Sequence, residues 1–182
     1  MKDLKIGYSE NYTTITDIQH IDFNNKAAIK KEIFNFAKKY AYADVEHSLI
    51  ISPNGNMYSL IGIKYEVHSE IIGKDALKGS IDIHNHPVEP GKNKGDSFSL
   101  DDLIFASENM QSIQYLTSGK RRNAFHFIRD YTEDEIKYAW KNARNLNWEN
   151  HLHNETQVIF EQEEILQNLN LFLEGFKFYE NF

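Results

Sequence analysis

The fold of this chain is decided by two neighbouring pieces of sequence, residues 80–87 and 97–102, which read Ser-Ile-Asp-Ile-His-Asn-His-Pro and Ser-Phe-Ser-Leu-Asp-Asp. The first piece predicts a short β-strand over Ser80–His84. Its closing proline ends that strand, because proline has no amide hydrogen for a β-ladder. Asn85–Phe98 contains two prolines and two glycines and predicts a loop, after which Ser99 begins a helix.

Two histidines leave the end of the predicted strand on one side. His84 and His86 are two residues apart, and alternate residues of a strand point to the same face. Beyond the loop, Ser99 lies three residues before Asp102, and positions i and i+3 share a face in the first turn of a helix. The sequence therefore predicts that Asp102 and the two imidazoles meet at one point in space.

His84, His86 and Asp102 form a predicted site for a divalent metal. The chain has no cysteine, which excludes disulfides, zinc-thiolate sites and cysteine nucleophiles. Two neutral histidines and one carboxylate leave a position of a tetrahedral Zn²⁺ open, as is typical of a catalytic zinc site. Water at such a position has its pKa lowered toward about 7 and becomes a nucleophile.

Ser99 and Asp102 also have a purely structural interpretation. Serine followed three residues later by an acid is a helix cap, in which the hydroxyl is committed to the helix amides. In the functional interpretation, Ser99 donates a hydrogen bond to the reacting water or to an oxyanion. Asp101 is the alternative ligand if the helix phase differs by one residue.

The surrounding sequence predicts an α/β fold with a mixed β-sheet packed between helices. No boundary divides the chain, so we expect residues 1–182 to form a single domain, with a helical C-terminal extension over 132–182. Lys120-Arg121-Arg122 is interpreted as a solvated turn. The other predicted elements are edge strands within Leu4–Ile21, a helix over Asn24–Tyr40, a hairpin of Glu46–Ser52 and Met57–Ile63, a short helix within Ser69–Leu77, a second hairpin of Ile113–Thr117 and Ala124–Ile128, a helix opened by the Thr132 and Glu135 capping box, and a last helix over Thr156–Leu173.

Composition narrows the class of protein. The chain has 182 residues, 41% of them hydrophobic, which is enough for one domain with a core. A net charge of −7 disfavours a nucleic-acid partner, and no apolar run is long enough for a membrane span. We expect a cytoplasmic protein, with secretion of a toxin domain by a signal-less route as the alternative. The aromatic C-terminal segment, Phe172–Phe182, is either core or a surface for a protein partner.

The residues of the predicted metal site also carry a family resemblance. His84-Asn85-His86-Pro87 followed by Ser99-Leu100-Asp101-Asp102 resembles the His-x-His-Pro…Ser-x-x-Asp signature of the JAMM/MPN+ (JAB) metalloproteases, most closely the bacterial and phage branches. The resemblance covers roughly Val45 to Ile128, the motif core. It implies a JAB/MPN fold, which is cytidine-deaminase-like, and Zn²⁺ as the cofactor. The chain departs from the family in the twelve-residue loop Pro87–Phe98, which is longer than the usual spacing.

The resemblance further implies a glutamate on an upstream strand as general base. We assign this role to Glu46, because it starts the strand that enters the Pro53-Asn54-Gly55 turn, as the family's glutamate strand does. Glu66 and Glu70 are closer to His84 in sequence and remain alternatives.

The function that the resemblance implies is hydrolysis of a peptide or isopeptide bond by a zinc metallopeptidase, in which Glu46 and Ser99 are the catalytic residues. The family includes deubiquitinating isopeptidases, phage tail and head-processing proteins, polymorphic-toxin domains and the RadC proteins. The substrate is therefore expected to be a peptide or protein, such as a ubiquitin-like protein or a protein of a phage or toxin system. The alternatives are a non-catalytic binding module of the same fold and a RadC-like protein associated with DNA.

Overall fold

A computed structural model describes residues 13–92, 95–151 and 162–182 of the chain. A turn of 3-10 helix, Ser69–Ile72, precedes the second α-helix. The strands and α-helices, in chain order, are β1 (Thr14–His20), α1 (Lys26–Tyr40), β2 (His47–Ile51), β3 (Asn56–Ile61), α2 (Lys74–Leu77), β4 (Ile81–Asn85), α3 (Leu100–Glu108), β5 (Ile113–Ser118), β6 (Arg121–His126), α4 (Glu133–His151), α5 (Gln162–Leu169) and β7 (Lys177–Glu180).

The seven strands of the described residues form one mixed sheet in the order β1-β3-β2-β4-β5-β6-β7. β4 and β5 run parallel, and each of the other neighbouring pairs is antiparallel. A parallel pair needs a crossover connection, and α3 supplies it here. The predicted α/β class with a mixed sheet is confirmed.

Helices cover both faces of the sheet. On one face α1 packs against β2, β4 and β5, and Ile83 belongs to this layer. Because side chains alternate along a strand, Asp82 and His84 point to the opposite face. That face is covered by α3, α4 and α5 around a second core, whose fully buried members include Phe98, Leu103, Leu116, Phe125, Ile136 and Leu166.

The first predicted helix and the first predicted hairpin are both present. Asn25 caps α1 by accepting the Ala28 amide N–H at 3.1 Å. β2 and β3 pair across a turn in which Gly55 has a φ of 87°. A Cβ atom at Gly55 would lie 2.5 Å from the His20 ring and 2.6 Å from the Ile21 carbonyl oxygen, so this turn requires glycine.

The second hairpin begins at Ile113 as the sequence predicts, but its second strand starts earlier than predicted. β6 begins at Arg121 instead of Ala124, because the loop from β5 has only two residues and Gly119 takes a φ of 60° in it. The interpretation of Lys120-Arg121-Arg122 as a solvated turn is wrong for Arg121. Its side chain is 9% exposed and lies 3.0 Å from the Glu163 carboxylate of α5.

The predicted helical C-terminal extension is wrong in its last part. β7 pairs antiparallel with β6 and adds a strand to the edge of the sheet. Phe176 is buried in the second core. The ring centroids of Phe182 and Tyr115 are 4.9 Å apart. Aromatic residues are common in strands and also in helices that pack against a core, so the sequence of this segment was compatible with a helix or with a strand.

Parts of the terminal predictions lie outside the described residues. Within Leu4–Ile21, the structure describes one edge strand, β1. Residues 4–12 lie outside the described part of the chain. Within Thr156–Leu173, the structure describes α5 only, and residues 156–161 are outside it. Among the described helices, none is both long and apolar enough to cross a bilayer.

Candidate metal centre

The two histidines lie where β4 ends, and β5 holds their backbone. His84 is within β4, and His86 follows the last residue of the strand. The His86 amide N–H donates to the Thr117 carbonyl at 3.1 Å, and the Ser118 hydroxyl donates to the His86 carbonyl at 2.7 Å. The parallel pairing therefore continues past the strand end and fixes the backbone from which the second imidazole projects.

Asp102 lies in the first turn of α3, where a reciprocal cap orients it. The Ser99 hydroxyl accepts the Asp102 amide N–H at 3.1 Å, and the Ser99 amide N–H donates to Asp102 Oδ2 at 2.6 Å. The Ser99 hydroxyl also donates to Asp102 Oδ2 at 2.8 Å. Ser99 is thus the capping residue that the structural interpretation requires, and it also holds the carboxylate in place.

His84, His86 and Asp102 come together as the sequence predicts. His84 Nε2 lies 3.5 Å from Asp102 Oδ1, and His86 Nε2 lies 3.6 Å from Asp102 Oδ2. The three side chains each offer a ligand atom within 4.8 Å of the others. Two ligands at the usual zinc bond lengths are separated by about 3.3 Å in a tetrahedron, which is close to both histidine-to-carboxylate distances, so these three side chains could hold a single ion.

The electrostatics of the cluster suit metal ligands. Burial lowers the pKa of His84 to about 4, so its imidazole is neutral at physiological pH, as ligation requires. His84 Nε2 is buried and has no hydrogen-bond partner among the described residues. Burial by itself would raise the pKa of Asp102, but the two histidines and the hydrogen bonds from Ser99 outweigh it and hold that pKa below its ordinary value.

Glu46 lies in the same cavity as the three candidate ligands. It immediately precedes β2, is 8% exposed, and makes backbone hydrogen bonds with Gly62 and Ile63 on the neighbouring chain segment. Burial raises the pKa of its carboxyl to about 8, and the negative charges of Asp102, Glu66 and Asp82 act in the same direction. A buried carboxyl in a cleft, with its pKa near neutrality, has the properties of a general base.

The alternatives from the sequence are more exposed. Glu66 and Glu70 also line the cavity, but both flank His68, with carboxylate-to-imidazole distances of 3.4 and 3.0 Å. Their side chains are 52% and 58% exposed. Asp101 is exposed on the rim and does not belong to the cluster of candidate ligands. The orientation of the first turn of α3 therefore favours Asp102 over Asp101 as the third candidate ligand.

The cavity has a volume of about 760 Å³ and a polar floor that the sequence analysis missed. Asp82 and Gln114 face each other on β4 and β5, and they are 3% and 2% exposed. The Ser48 hydroxyl donates to Asp82 Oδ1 at 2.9 Å. The alternation that placed the two histidines on one face also places Asp82 there, two residues before His84, and could have identified it.

Comparison of the chain with protein-family models, with characterised proteins and with solved structures gave no match.

Proposed function

We propose that this chain is a zinc-dependent metallopeptidase of the JAMM/MPN+ type, with a JAB/MPN-like fold, that hydrolyses a peptide or isopeptide bond. One observation carries the proposal: the imidazoles of His84 and His86 converge on the two oxygens of Asp102, at 3.5 and 3.6 Å, in a cavity that Glu46 also lines. Three ligands and one nearby carboxyl are the parts that a hydrolytic zinc site needs.

In this proposal His84, His86 and Asp102 hold Zn²⁺, which supplies Lewis-acid polarisation of a carbonyl group and of water. Glu46 takes a proton from the attacking water and delivers it to the departing amine. Burial raises the pKa of the Glu46 carboxyl in the metal-free chain, and the positive charge of a bound Zn²⁺ would oppose that rise, so that the group could accept and return a proton near neutral pH. Glu46 is only 8% exposed, and this burial favours it over Glu66 and Glu70 as the general base.

Ser99 has two roles in the proposal. As a positioning residue it orients Asp102 through three hydrogen bonds. Because Ser99 also lines the cavity, its hydroxyl can turn to a developing oxyanion, in competition with its bond to Asp102. The first role accounts for the contacts of the free protein, and the second belongs to the reaction itself.

The charge of the cavity argues against the DNA-associated alternative. Eight carboxylate side chains line it, and neither lysine nor arginine does among the residues that the structure describes. A phosphate backbone would be repelled by such a lining, whereas the neutral amide of a peptide would not.

The test is metal analysis of the purified protein, combined with mass-spectrometric screening of peptide and isopeptide libraries. We expect about one zinc per chain, the occupancy of a single three-ligand site. His84→Ala and Asp102→Ala should lose the metal. Glu46→Gln should keep it and lose at least about 100-fold in hydrolysis, the usual minimum for removing a general base.

His20→Ala is the matched control, because His20 lies exposed on β1, and it should change neither measurement. Full zinc occupancy without hydrolysis of any library would support the non-catalytic binding module instead. Zinc retained by His84→Ala would contradict the ligand assignment.

A further inference from the structure

The floor of the cavity has hydrogen-bond acceptors and no described cation. The Asp82 carboxylate accepts a hydrogen bond from the Ser48 hydroxyl, and the Gln111 side chain beside it is also neutral. None of the described lysine, arginine or histidine side chains forms an ion pair with it. A buried carboxylate without a cationic partner is costly, so this one favours a positive ligand.

Gln114 gives a second and independent indication. Gln114 lines the cavity, and its Nε2 is already committed, because it donates to Gln111 Oε1 at 2.6 Å. The Gln114 Oε1 is buried and accepts no hydrogen bond from the described residues. An unpartnered acceptor beside a carboxylate calls for a ligand that carries several N–H donors and a positive charge.

The distance between Asp82 and the candidate metal ligands determines which residue of a substrate can reach the floor of the cavity. Asp82 and His84 are alternate residues of β4 on one face, so their Cβ atoms are roughly 6–7 Å apart. This is about the reach of one lysine or arginine side chain. A cationic group bound at the floor therefore belongs to a residue next to the bond that is cleaved at the metal centre.

The rim of the cavity has the same sign of charge as the floor. Acidic side chains there belong to Glu66, Glu70, Glu89, Asp96 and Asp101. One of these acids, Glu89, forms an ion pair with a lysine, because its Oε2 lies 2.6 Å from Lys92 Nζ. A cleft lined with one sign of charge attracts ligands of the other sign, so the rim would guide a basic segment toward the floor.

We propose that Asp82 and the Gln114 side-chain oxygen form a subsite for the ammonium or guanidinium group of a substrate residue adjacent to the scissile bond. This inference rests on the proposed peptidase function and narrows its substrates to basic peptides. Asp82 is then a specificity-determining residue of the cleft, together with Gln114.

The test uses the zinc-loaded full chain and two dye-labelled pentapeptides, Gly-Gly-Lys-Gly-Gly and its twin with norleucine, which keeps the four-carbon stem of lysine and lacks the ammonium group. Binding is measured by fluorescence anisotropy at low temperature, and the intact peptide is checked by mass spectrometry. We expect the lysine peptide to bind at least about tenfold more tightly, as one charge-assisted hydrogen-bonded contact provides.

Asp82→Asn should bring this ratio close to one, because asparagine keeps the acceptor for Ser48 and removes the charge. Gln114→Met, which removes the acceptor at similar volume, should reduce the ratio in part and serves if Asp82→Asn does not fold. Asp130→Asn is the matched control, since Asp130 is exposed and outside the cavity, and should leave the ratio unchanged.

Equal binding of the two peptides by the wild-type chain would overturn the subsite. An equal loss in Asp82→Asn and Asp130→Asn would also overturn it, because it would trace the preference to net charge. The two proposals fail separately. Hydrolysis of neutral peptides without a preference for lysine would remove the subsite alone, whereas charge-selective binding without any hydrolysis would remove the peptidase function and leave Asp82 and Gln114 as a cation-binding site only.

Discussion

Asn85 holds the backbone on both sides of Glu46. Its Oδ1 accepts the His47 amide N–H at 2.9 Å, and its Nδ2 donates to the Val45 carbonyl at 3.1 Å. Asn85 is fully buried and lies between the two histidines of the candidate metal centre. A single side-chain amide thus connects the strand of the candidate ligands to the segment that carries the candidate base.

Asn85→Ala should lower the free energy of unfolding by about 2 kcal/mol, because it leaves partly buried backbone groups at Val45 and His47 without partners. Urea unfolding followed by tryptophan fluorescence measures this. Asn35→Ala is the control, since Asn35 is exposed on α1, and should change the stability by less than about 0.5 kcal/mol. Equal effects of the two substitutions would show that the Asn85 amide does not fix the segment.

Ser99→Ala tests whether the cap of α3 also serves the metal site. The chain has a second capping box of the same pattern at Thr132 and Glu135, which begins α4. Ser99→Ala and Thr132→Ala should each cost about 1 kcal/mol of stability. Only Ser99→Ala should also weaken zinc binding, by about tenfold, because it releases Asp102. Competition with a zinc chelator gives the affinity, and unchanged affinity in Ser99→Ala would remove its positioning role.

The stability of the metal-free chain should fall as pH rises from 6.5 to 8. The Glu46 pKa is about 8 in the folded chain against an ordinary 4.5, so the folded state keeps a proton that the unfolded state releases, and rising pH favours unfolding. His84 acts in the opposite direction, but mainly below its ordinary pKa of 6.5. We expect a loss of about 2 kcal/mol through Glu46 over this interval.

Glu46→Gln should remove most of that slope, as measured by urea unfolding in the presence of a chelator. Asp82, whose pKa burial raises to about 7, contributes only to the lower part of the interval and does so in both proteins. Glu108→Gln changes an exposed acid on α3 and should keep the wild-type slope. An identical slope in Glu46→Gln would mean that the Glu46 carboxyl is ionised in the folded chain at pH 6.5.

The buried ion pair of Arg121 and Glu163 should matter more than the exposed pair of Lys137 and Glu133. The Arg121 and Glu163 side chains are only 9% and 13% exposed, and Glu163 also accepts from Asn123 at 3.0 Å. Glu163→Ala leaves a buried guanidinium without its partner and should cost about 3 kcal/mol. Glu133→Ala, at a pair with side chains about half exposed, should cost less than about 0.5 kcal/mol.

The double variant Arg121→Met with Glu163→Ala should recover part of the loss, because it removes the unpaired charge as well. Thermal unfolding and urea unfolding both report these differences. A loss as small for Glu163→Ala as for Glu133→Ala would show that the contact between α5 and β6 is solvated.

The local sequence determined the parts of this protein that depend on near neighbours. The spacing of His84 and His86 on a strand end and the Ser99 to Asp102 cap are set by backbone periods of two and of about 3.6 residues, so they were predicted. The helix at Asn24–Tyr40 and the turn at Gly55 are of the same kind, because their signals lie within a few residues of one another.

Tertiary structure alone decided what depends on distant residues. Whether the aromatic C-terminal segment forms a helix or strand β7 depended on the free edge of β6, and the burial of Arg121 depended on Glu163 in α5. Strand order and register bring the Asn85 side chain within hydrogen-bond distance of the backbone on both sides of Glu46. They also place Asp82 opposite Gln114 on the neighbouring strand. A periodic pattern says which way a side chain points, but only the packed sheet says which side chain it meets.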